Sequence, residues 1–131
     1  MTALAKRRRA AANAQSLRCH YCGLPMWESD PNGFAKRYRL SRAQATLLRS
    51  TAEHLVARCD GGSDAPSNIV AAHEYCNRLR HTRRNPAPPQ RYQEFVLARM
   101  RAGRWLAGIL PGHFVERSRV PNKGIQQTAK R

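Results

Sequence analysis

The sequence contains few acidic residues. Asp and Glu together number 8 among 131 residues, whereas Lys and Arg number 24, which leaves a formal net charge of +16. Such an excess of positive charge on a short chain favours a polyanionic partner, with nucleic acid as the first choice and an anionic membrane surface as the second.

Long apolar runs are also absent. No stretch reaches the roughly 18 apolar residues that a membrane-spanning helix needs, and the first residues lack the apolar segment of a signal peptide. We therefore expect an intracellular, cytoplasmic protein without a membrane partner. A chain of 131 residues has room for one modest core, so we expect one compact domain with loose ends.

Cysteines are few, but two of them form a close pair. In a reducing compartment the pattern Cys19-x-x-Cys22 indicates metal binding rather than a disulfide. Structural zinc takes four Cys or His ligands, usually as close pairs, and His73-x-x-Cys76 is the second such pair. We therefore predict a Cys3His zinc site. A rival ligand set replaces His73 with Cys59, which has no partner nearby in the sequence.

Local patterns predict an arm, a domain and a tail. Residues 1–17 combine the basic run Lys6-Arg7-Arg8-Arg9 with an Ala-rich stretch. This arm could become helical against phosphates or against its own domain, or it could remain a frayed, solvated end. Residues 18–110 are expected to form the domain, and the polar, basic residues 111–131 are predicted to be a disordered tail.

Within the domain, periodicity and turn residues predict the order of the elements. Turn formers at 23–33 predict a knuckle that opens into a loop, and Ser41 with Gln44 predicts a capping box that starts a helix through Leu48. Residues 53–57 and 68–71 are strand-like and flank a Gly-Gly loop. A helix is predicted over 73–82, with His73, Asn77 and His81 along one stripe, and a docking helix over about 90–101.

One set of residues resembles the HNH endonuclease family, including its zinc-bearing members. It consists of Glu53-His54, Gly61-Gly62, Asn68-Ile69-Val70, Cys76-Asn77 and His81. The resemblance spans Cys19 to about His81, roughly half the chain. It implies an α+β fold, namely a small, treble-clef-like ββα-metal finger stapled by zinc and flanked by helices. It also implies a metal-dependent endonuclease that hydrolyses phosphodiester bonds of DNA rather than a small-molecule substrate.

The same resemblance implies roles for individual residues. His54 would be the general base, and Glu53 and Asn77 would hold a divalent ion, with His81 as a further ligand. Asn68 would brace the loop between the strands and so aim His54. Phosphodiester cleavage does need a positioned base and a cation near the developing charge, and imidazole titrates near neutrality. Oxygen and imidazole ligands suit Mg²⁺, Mn²⁺ or a similar ion.

Three features depart from the family pattern. Glu53 stands where Asp is commoner, and His73 replaces the usual first Cys of the second zinc pair. His73, Asn77 and His81 could therefore all face the catalytic ion, although the zinc role ranks first. Neighbouring strand residues also point to opposite faces, so Glu53 and His54 share one site only at an irregular strand end.

Basic residues are the candidates for DNA contact, because phosphate contacts dominate affinity. The candidates are Arg7, Arg8, Arg9, Lys36, Arg37, Arg39, Arg42, Arg78 and Arg80, with Arg49 in the same cluster. Two alternatives to a nuclease remain open. A zinc-stapled module that binds nucleic acid without cutting it, or a structural protein of a nucleoprotein particle, would explain the charge but not Glu53, His54 and Asn77.

Overall fold

The structure is a computed structural model, and it describes residues 1–110. The predicted tail at 111–131 lies outside the described residues. In chain order the elements are α1 (Ala3–Ala14), α2 (Pro31–Tyr38), α3 (Arg42–Leu47), β1 (Ser50–His54), β2 (Ile69–His73), α4 (Glu74–Arg80) and α5 (Pro89–Arg101). Two short 3₁₀ turns, Arg58–Asp60 and Pro66–Asn68, lie in the loop between the strands.

A hairpin followed directly by a helix forms the centre of the molecule. β1 and β2 are antiparallel, with Ser50 opposite His73 and His54 opposite Ile69. α4 starts at the residue after β2. The predicted α+β class and the strand, loop, strand, helix order are therefore confirmed, and the Cys3His cluster described below lies at the junction of β2 and α4. The first strand was predicted over 53–57, but β1 runs from Ser50 to His54, because its pairing extends back to His73. Residues 55–57 lie in the loop, where the Asn68 side chain accepts from the Val56 amide.

The basic N-terminal segment forms a helix that packs on the hairpin. Thr2 caps α1 by accepting a hydrogen bond from the Ala5 amide at 3.0 Å, and Ala12 is completely buried. Just after the helix, the Gln15 side-chain amide makes two hydrogen bonds with the backbone of Ala71 in β2, of 2.8 and 3.0 Å. α1 is thus helical against its own domain.

α2 corrects one sequence prediction, because Pro31 and Gly33 were expected in a loop. Asp30 caps this helix by accepting a hydrogen bond from the Gly33 amide at 3.0 Å. Proline is well tolerated at the first helical position, where its missing N–H has no partner in any case. Asp30 and Pro31 therefore begin a helix rather than form a turn.

The remaining helices frame the core. The predicted capping box at the start of α3 is confirmed, since Ser41 and Gln44 bond each other's backbone amides. α5 buries Tyr92 and Val96, and the Tyr92 hydroxyl donates to the Cys76 carbonyl oxygen at 2.7 Å. Among residues 1–110, no helix has the length and apolar character needed to cross a membrane.

Candidate functional site

A buried cluster of four metal-ligating side chains joins the N-terminal knuckle to the hairpin. The ligand atoms of Cys19, Cys22, His73 and Cys76 all lie within 4.8 Å of one another, and all four residues are buried. Within residues 1–110 this is the one such group of three or more ligands. Cys59 is exposed in the loop after β1 and lies outside the cluster, so the rival ligand set is not formed.

The ring of His73 is oriented by a backbone carbonyl. Its Nε2 lies 2.7 Å from the Pro25 carbonyl oxygen, so Nε2–H donates to that oxygen and Nδ1 keeps its lone pair. Nδ1 in turn lies 3.3 Å from the Cys22 sulfur and 3.7 Å from the Cys76 sulfur. A histidine that ligates a metal is commonly held in this way through its other ring nitrogen. The geometry therefore fits a ligand role for Nδ1.

The sulfur atoms lie in surroundings that favour a bound cation. Backbone amides of Tyr21 and His73 each donate to the Cys19 sulfur at 3.4 Å. Burial raises the pKa of the Cys22 and Cys76 thiols, because uncompensated negative charge is unfavourable in the core. A divalent cation would compensate thiolate charge here. Three sulfurs and one imidazole make the donor set of a structural zinc site.

Glu53 lies in a second polar cluster and is only 1% exposed. Its Oε2 accepts hydrogen bonds from the Tyr21 hydroxyl and from Nη1 of Arg80, both at 2.7 Å. Its Oε1 lies 3.0 Å from Nε2 of His81 at the end of α4. Burial and the neighbouring carboxylate raise the pKa of Tyr21, which keeps its hydroxyl a donor. One carboxylate oxygen is thus held by the protein, and the other faces an imidazole.

His54, the next residue in β1, contacts different groups. Its Nε2 lies 2.7 Å from Oδ1 of Asp64, and Nε of Arg58 approaches the same nitrogen at 3.3 Å. The His54 side chain is 15% exposed. Glu53 and His54 therefore face different neighbours, as the alternation along a strand requires.

Asn68 bonds across the loop between the strands. Its side-chain oxygen accepts from the Val56 amide at 2.8 Å, and its side-chain nitrogen donates to the carbonyls of Val56 and Ser63 at 3.0 and 2.8 Å. The backbone of Gly62 packs against the Val56 carbonyl group, so that a Cβ at Gly62 would overlap the carbonyl oxygen. This loop carries Arg58 and Asp64, the partners of His54.

Asn77 lies against β1. Its side-chain nitrogen donates to the Thr51 hydroxyl at 3.1 Å and to the Ala52 carbonyl at 3.2 Å. His81 follows four residues later, as the C-cap of α4, and lies beside Glu53. The structure therefore brings Glu53 and His81 together, whereas the Asn77 side chain contacts Thr51 and Ala52, earlier in β1. His73 lies in the cysteine cluster rather than with these residues.

Several of the candidate phosphate-binding residues already contact other groups of the protein. Arg80 is 5% exposed and bonded to Glu53, with further hydrogen bonds to three backbone carbonyls, so it is not presented to solvent. Arg7 donates to the Asp64 carbonyl at 2.7 Å, and Arg8 pairs with Glu28 at 3.1 Å. Arg78 pairs with Glu74 and Arg42 with Asn32. The exposed candidates are Arg9, which lies 3.9 Å from Glu28, together with Lys36, Arg37, Arg39, Arg42 and Arg78.

Sequence reasoning did not include Tyr21, Asp64 or the burial of Arg80. Tyr21 could have been noticed because it lies inside the Cys-x-x-Cys pair, which places it at the metal cluster. Asp64 lies in the polar loop after the glycines, where acidic residues are common turn formers. Nothing local distinguishes Arg80 from the surface arginines on either side of it.

The comparisons with known proteins agree with the hairpin and helix. The model of the HNH endonuclease family matches residues 41–83, about a third of the chain. The matched segment contains α3, β1, the loop, β2 and α4. The family resemblance is therefore confirmed over these residues. No curated protein and no solved structure gives a significant match to the chain.

Proposed function

Because residues 41–83 match the HNH endonuclease family, we propose that this chain is a metal-dependent endonuclease that hydrolyses phosphodiester bonds of DNA. One observation carries the proposal. Within the matched hairpin and helix, a carboxylate and an imidazole lie 3.0 Å apart at Glu53 and His81, and His54 follows Glu53 at the end of the same strand. This supplies two ligand types for a cation, and His54, which has different neighbours, supplies a candidate base.

His54 acts as the general base. It takes a proton from the attacking water, the water oxygen forms a bond to phosphorus, and the bond from phosphorus to the departing 3′ oxygen breaks. Imidazole suits this step because it exchanges protons near neutral pH. Asn68 supports the step by bracing the loop that holds the partners of His54.

Glu53, Asn77 and His81 hold the catalytic divalent ion, which would be Mg²⁺, Mn²⁺ or a similar cation. When bound, such an ion stabilises the negative charge that develops on the phosphate and on the leaving oxygen. Glu53 offers Oε1 for this purpose, since Tyr21 and Arg80 already occupy Oε2. His81 offers Nε2, which faces that same carboxylate oxygen at 3.0 Å.

The Cys3His cluster holds a structural zinc ion. The cluster ties the knuckle at Cys19 and Cys22 to the end of β2 and the start of α4. It thereby also fixes Tyr21, which contacts Glu53. A small, polar domain gains much of its folding free energy from such a metal.

DNA binding rests mainly on phosphate contacts. The net charge of +16 and the exposed Arg9, Lys36, Arg37 and Arg39 support this. We expect affinity for duplex DNA to fall steeply as salt rises and to depend weakly on sequence. An affinity that is flat between low and physiological salt would contradict phosphate-dominated binding.

The decisive experiment is incubation of the zinc-loaded protein with supercoiled plasmid, with and without Mg²⁺ or Mn²⁺. We expect metal-dependent nicking that the substitution His54→Ala lowers about a hundredfold or more, with zinc content and DNA binding unchanged. Asn77→Ala should also impair cleavage, with partial rescue at higher metal concentration, because one ligand among several is lost. Cleavage by His54→Ala at the wild-type rate would overturn the assignment of the base.

One observation favours a different function. Glu53 is 1% exposed and paired with Arg80, which already balances the charge that a cation would otherwise meet. A zinc-stapled module that binds nucleic acid without cutting it would use this ion pair for stability alone. Binding without metal-dependent cleavage of any DNA or RNA substrate would favour that function.

A further inference from the structure

We infer that Asp64 is a positioning residue for His54, and that α1 holds Asp64 in place through Arg7. This inference rests on the proposed role of His54 as the general base. It concerns the proton arrangement of the imidazole, and it gives the N-terminal helix a function at the active site in addition to any contact with DNA.

The first step concerns the contact between the two side chains. Nε2 of His54 lies 2.7 Å from Oδ1 of Asp64, the short distance expected of a hydrogen bond to a carboxylate. A carboxylate can only accept, and its contact with Nε2 is shorter than the 3.3 Å approach of the Arg58 Nε to the same nitrogen. We therefore assign the proton to Nε2 and the lone pair to Nδ1. A base oriented by a third group in this way is prepared to accept a proton at the other nitrogen.

The second step concerns what keeps Asp64 a carboxylate. The hydrogen bond to His54 lowers the pKa of Asp64, and the positive charge of Arg58 lowers it further. Nη2 of Arg58 lies 3.1 and 3.2 Å from the two carboxylate oxygens. Arg58 also points Nε at Nε2 of His54, at 3.3 Å. Without Asp64, the Arg58 Nε–H would favour a tautomer in which Nε2 accepts a hydrogen bond and Nδ1 carries the proton. In that tautomer Nδ1 cannot take a proton from water.

The third step concerns Arg7, 57 residues earlier in the chain. Its Nη1 donates to the backbone carbonyl of Asp64 at 2.7 Å, and this contact is partly buried. α1 is itself anchored on the sheet by the buried Ala12 and by the bonds of Gln15 to Ala71. Arg7 therefore links a loop with two glycines to a helix that is fixed on the hairpin.

The tautomer of His54 tests this directly and does not require catalysis. In ¹⁵N-labelled, zinc-loaded protein above the titration range of imidazole, the ring nitrogen shifts should report a proton on Nε2. We expect Asp64→Ala to move the proton to Nδ1 or to give a mixture, whereas Asp60→Ala, a change of an exposed acid in the same loop, should leave it on Nε2. An unchanged tautomer in Asp64→Ala would overturn the inference.

Cleavage kinetics supply the second measurement. We expect Asp64→Ala to lower kcat about tenfold to a hundredfold with KM nearly unchanged, since the base is misoriented while DNA contacts persist. Asp64→Asn keeps an acceptor oxygen, so it should retain the Nε2–H tautomer and recover part of kcat. This variant also serves if Asp64→Ala does not fold. A rise in KM alone would overturn the positioning role.

Arg7→Ala separates the helix contact from phosphate binding. We expect a lower kcat with an unchanged salt dependence of DNA binding, whereas Arg9→Ala on the same helix should weaken binding and lower the salt slope by about one. The opposite result for Arg7 would overturn its part in the inference. If wild-type protein cleaves no nucleic acid, the proposed function fails, but the tautomer measurement still decides between the outcomes for Asp64.

Discussion

The hydroxyl of Tyr21 donates to Glu53 at 2.7 Å, so a residue inside the Cys-x-x-Cys pair touches the acidic residue of the hairpin. The ring of Tyr21 is completely buried and packs edge-on against Tyr92 of α5, with centroids 4.9 Å apart. Because the Tyr21 backbone amide also donates to the Cys19 sulfur, one residue links the candidate zinc cluster to the candidate catalytic cluster. A substitution in either cluster is therefore expected to alter the geometry of the other.

Substitution of Tyr21 with Phe tests this connection. The ring packing should persist, but Glu53 loses one of its donors, and a lost hydrogen bond to a charged group costs about 1.5 to 3 kcal/mol. We expect that loss in the free energy of unfolding by urea, together with weaker activation by Mg²⁺ or Mn²⁺. The control is Phe34→Leu in α2, a partly buried ring outside both clusters, which should leave the metal dependence of cleavage unchanged.

Zinc removal should unfold the domain. Cys76→Ser is expected to abolish zinc binding and most helical signal in circular dichroism, because the cluster joins the knuckle to β2 and α4. Cys59→Ser should keep one zinc per chain, since Cys59 is exposed and outside the cluster. Loss of zinc from Cys59→Ser, measured by elemental analysis, would contradict the ligand set.

Arg80 and Arg78 should differ sharply in their effect on stability. Arg80→Met leaves Glu53 buried without its cationic partner, which typically costs about 3 to 5 kcal/mol. Arg78→Met removes an exposed pair with Glu74 in the same helix, which is worth at most about 1 kcal/mol. The double variant Arg80→Met, Glu53→Gln should recover part of the loss in chemical denaturation. Equal effects of Arg80→Met and Arg78→Met would show that the buried ion pair adds no stability.

Gly62 should tolerate no side chain. The Cβ of Gly62→Ala would overlap the Val56 carbonyl oxygen, so the loop must shift. We expect lower stability and a larger loss of cleavage, because this loop carries Asp64 and Arg58. Gly108→Ala, where a Cβ meets nothing within 4 Å, is the matched control. Wild-type cleavage by Gly62→Ala would mean that the loop conformation does not matter for activity.

Much of the fold follows from local pattern. Ser41 and Gln44 are three residues apart, so their capping box depends on no other part of the chain. The two close pairs of candidate metal ligands were recognisable for the same reason, since each pair lies within one turn. Short strand-like runs on either side of the Gly-Gly loop and the helical spacing of α4 predict the order of these elements, although the predicted first strand begins three residues too late.

The partners of the site residues were harder to predict, because they are distant in sequence. Tyr21 and Glu53 are 32 residues apart, and Arg7 and Asp64 are 57 apart. Arg80 looks like its exposed neighbours, and only packing against the end of β1 makes it a buried ion-pair partner. The resemblance to the HNH family identified Glu53 and His54 as functional candidates, but tertiary packing decides which groups surround them.

The side chain of Gln15 also affects how the sheet meets other molecules. It pairs with both backbone groups of Ala71, in the manner of a residue from a third strand. A two-stranded sheet otherwise offers unpaired amides and carbonyls that can template edge-to-edge association. At the centre of β2 those groups are occupied, so this edge is protected against aggregation and against partners that bind by adding a strand.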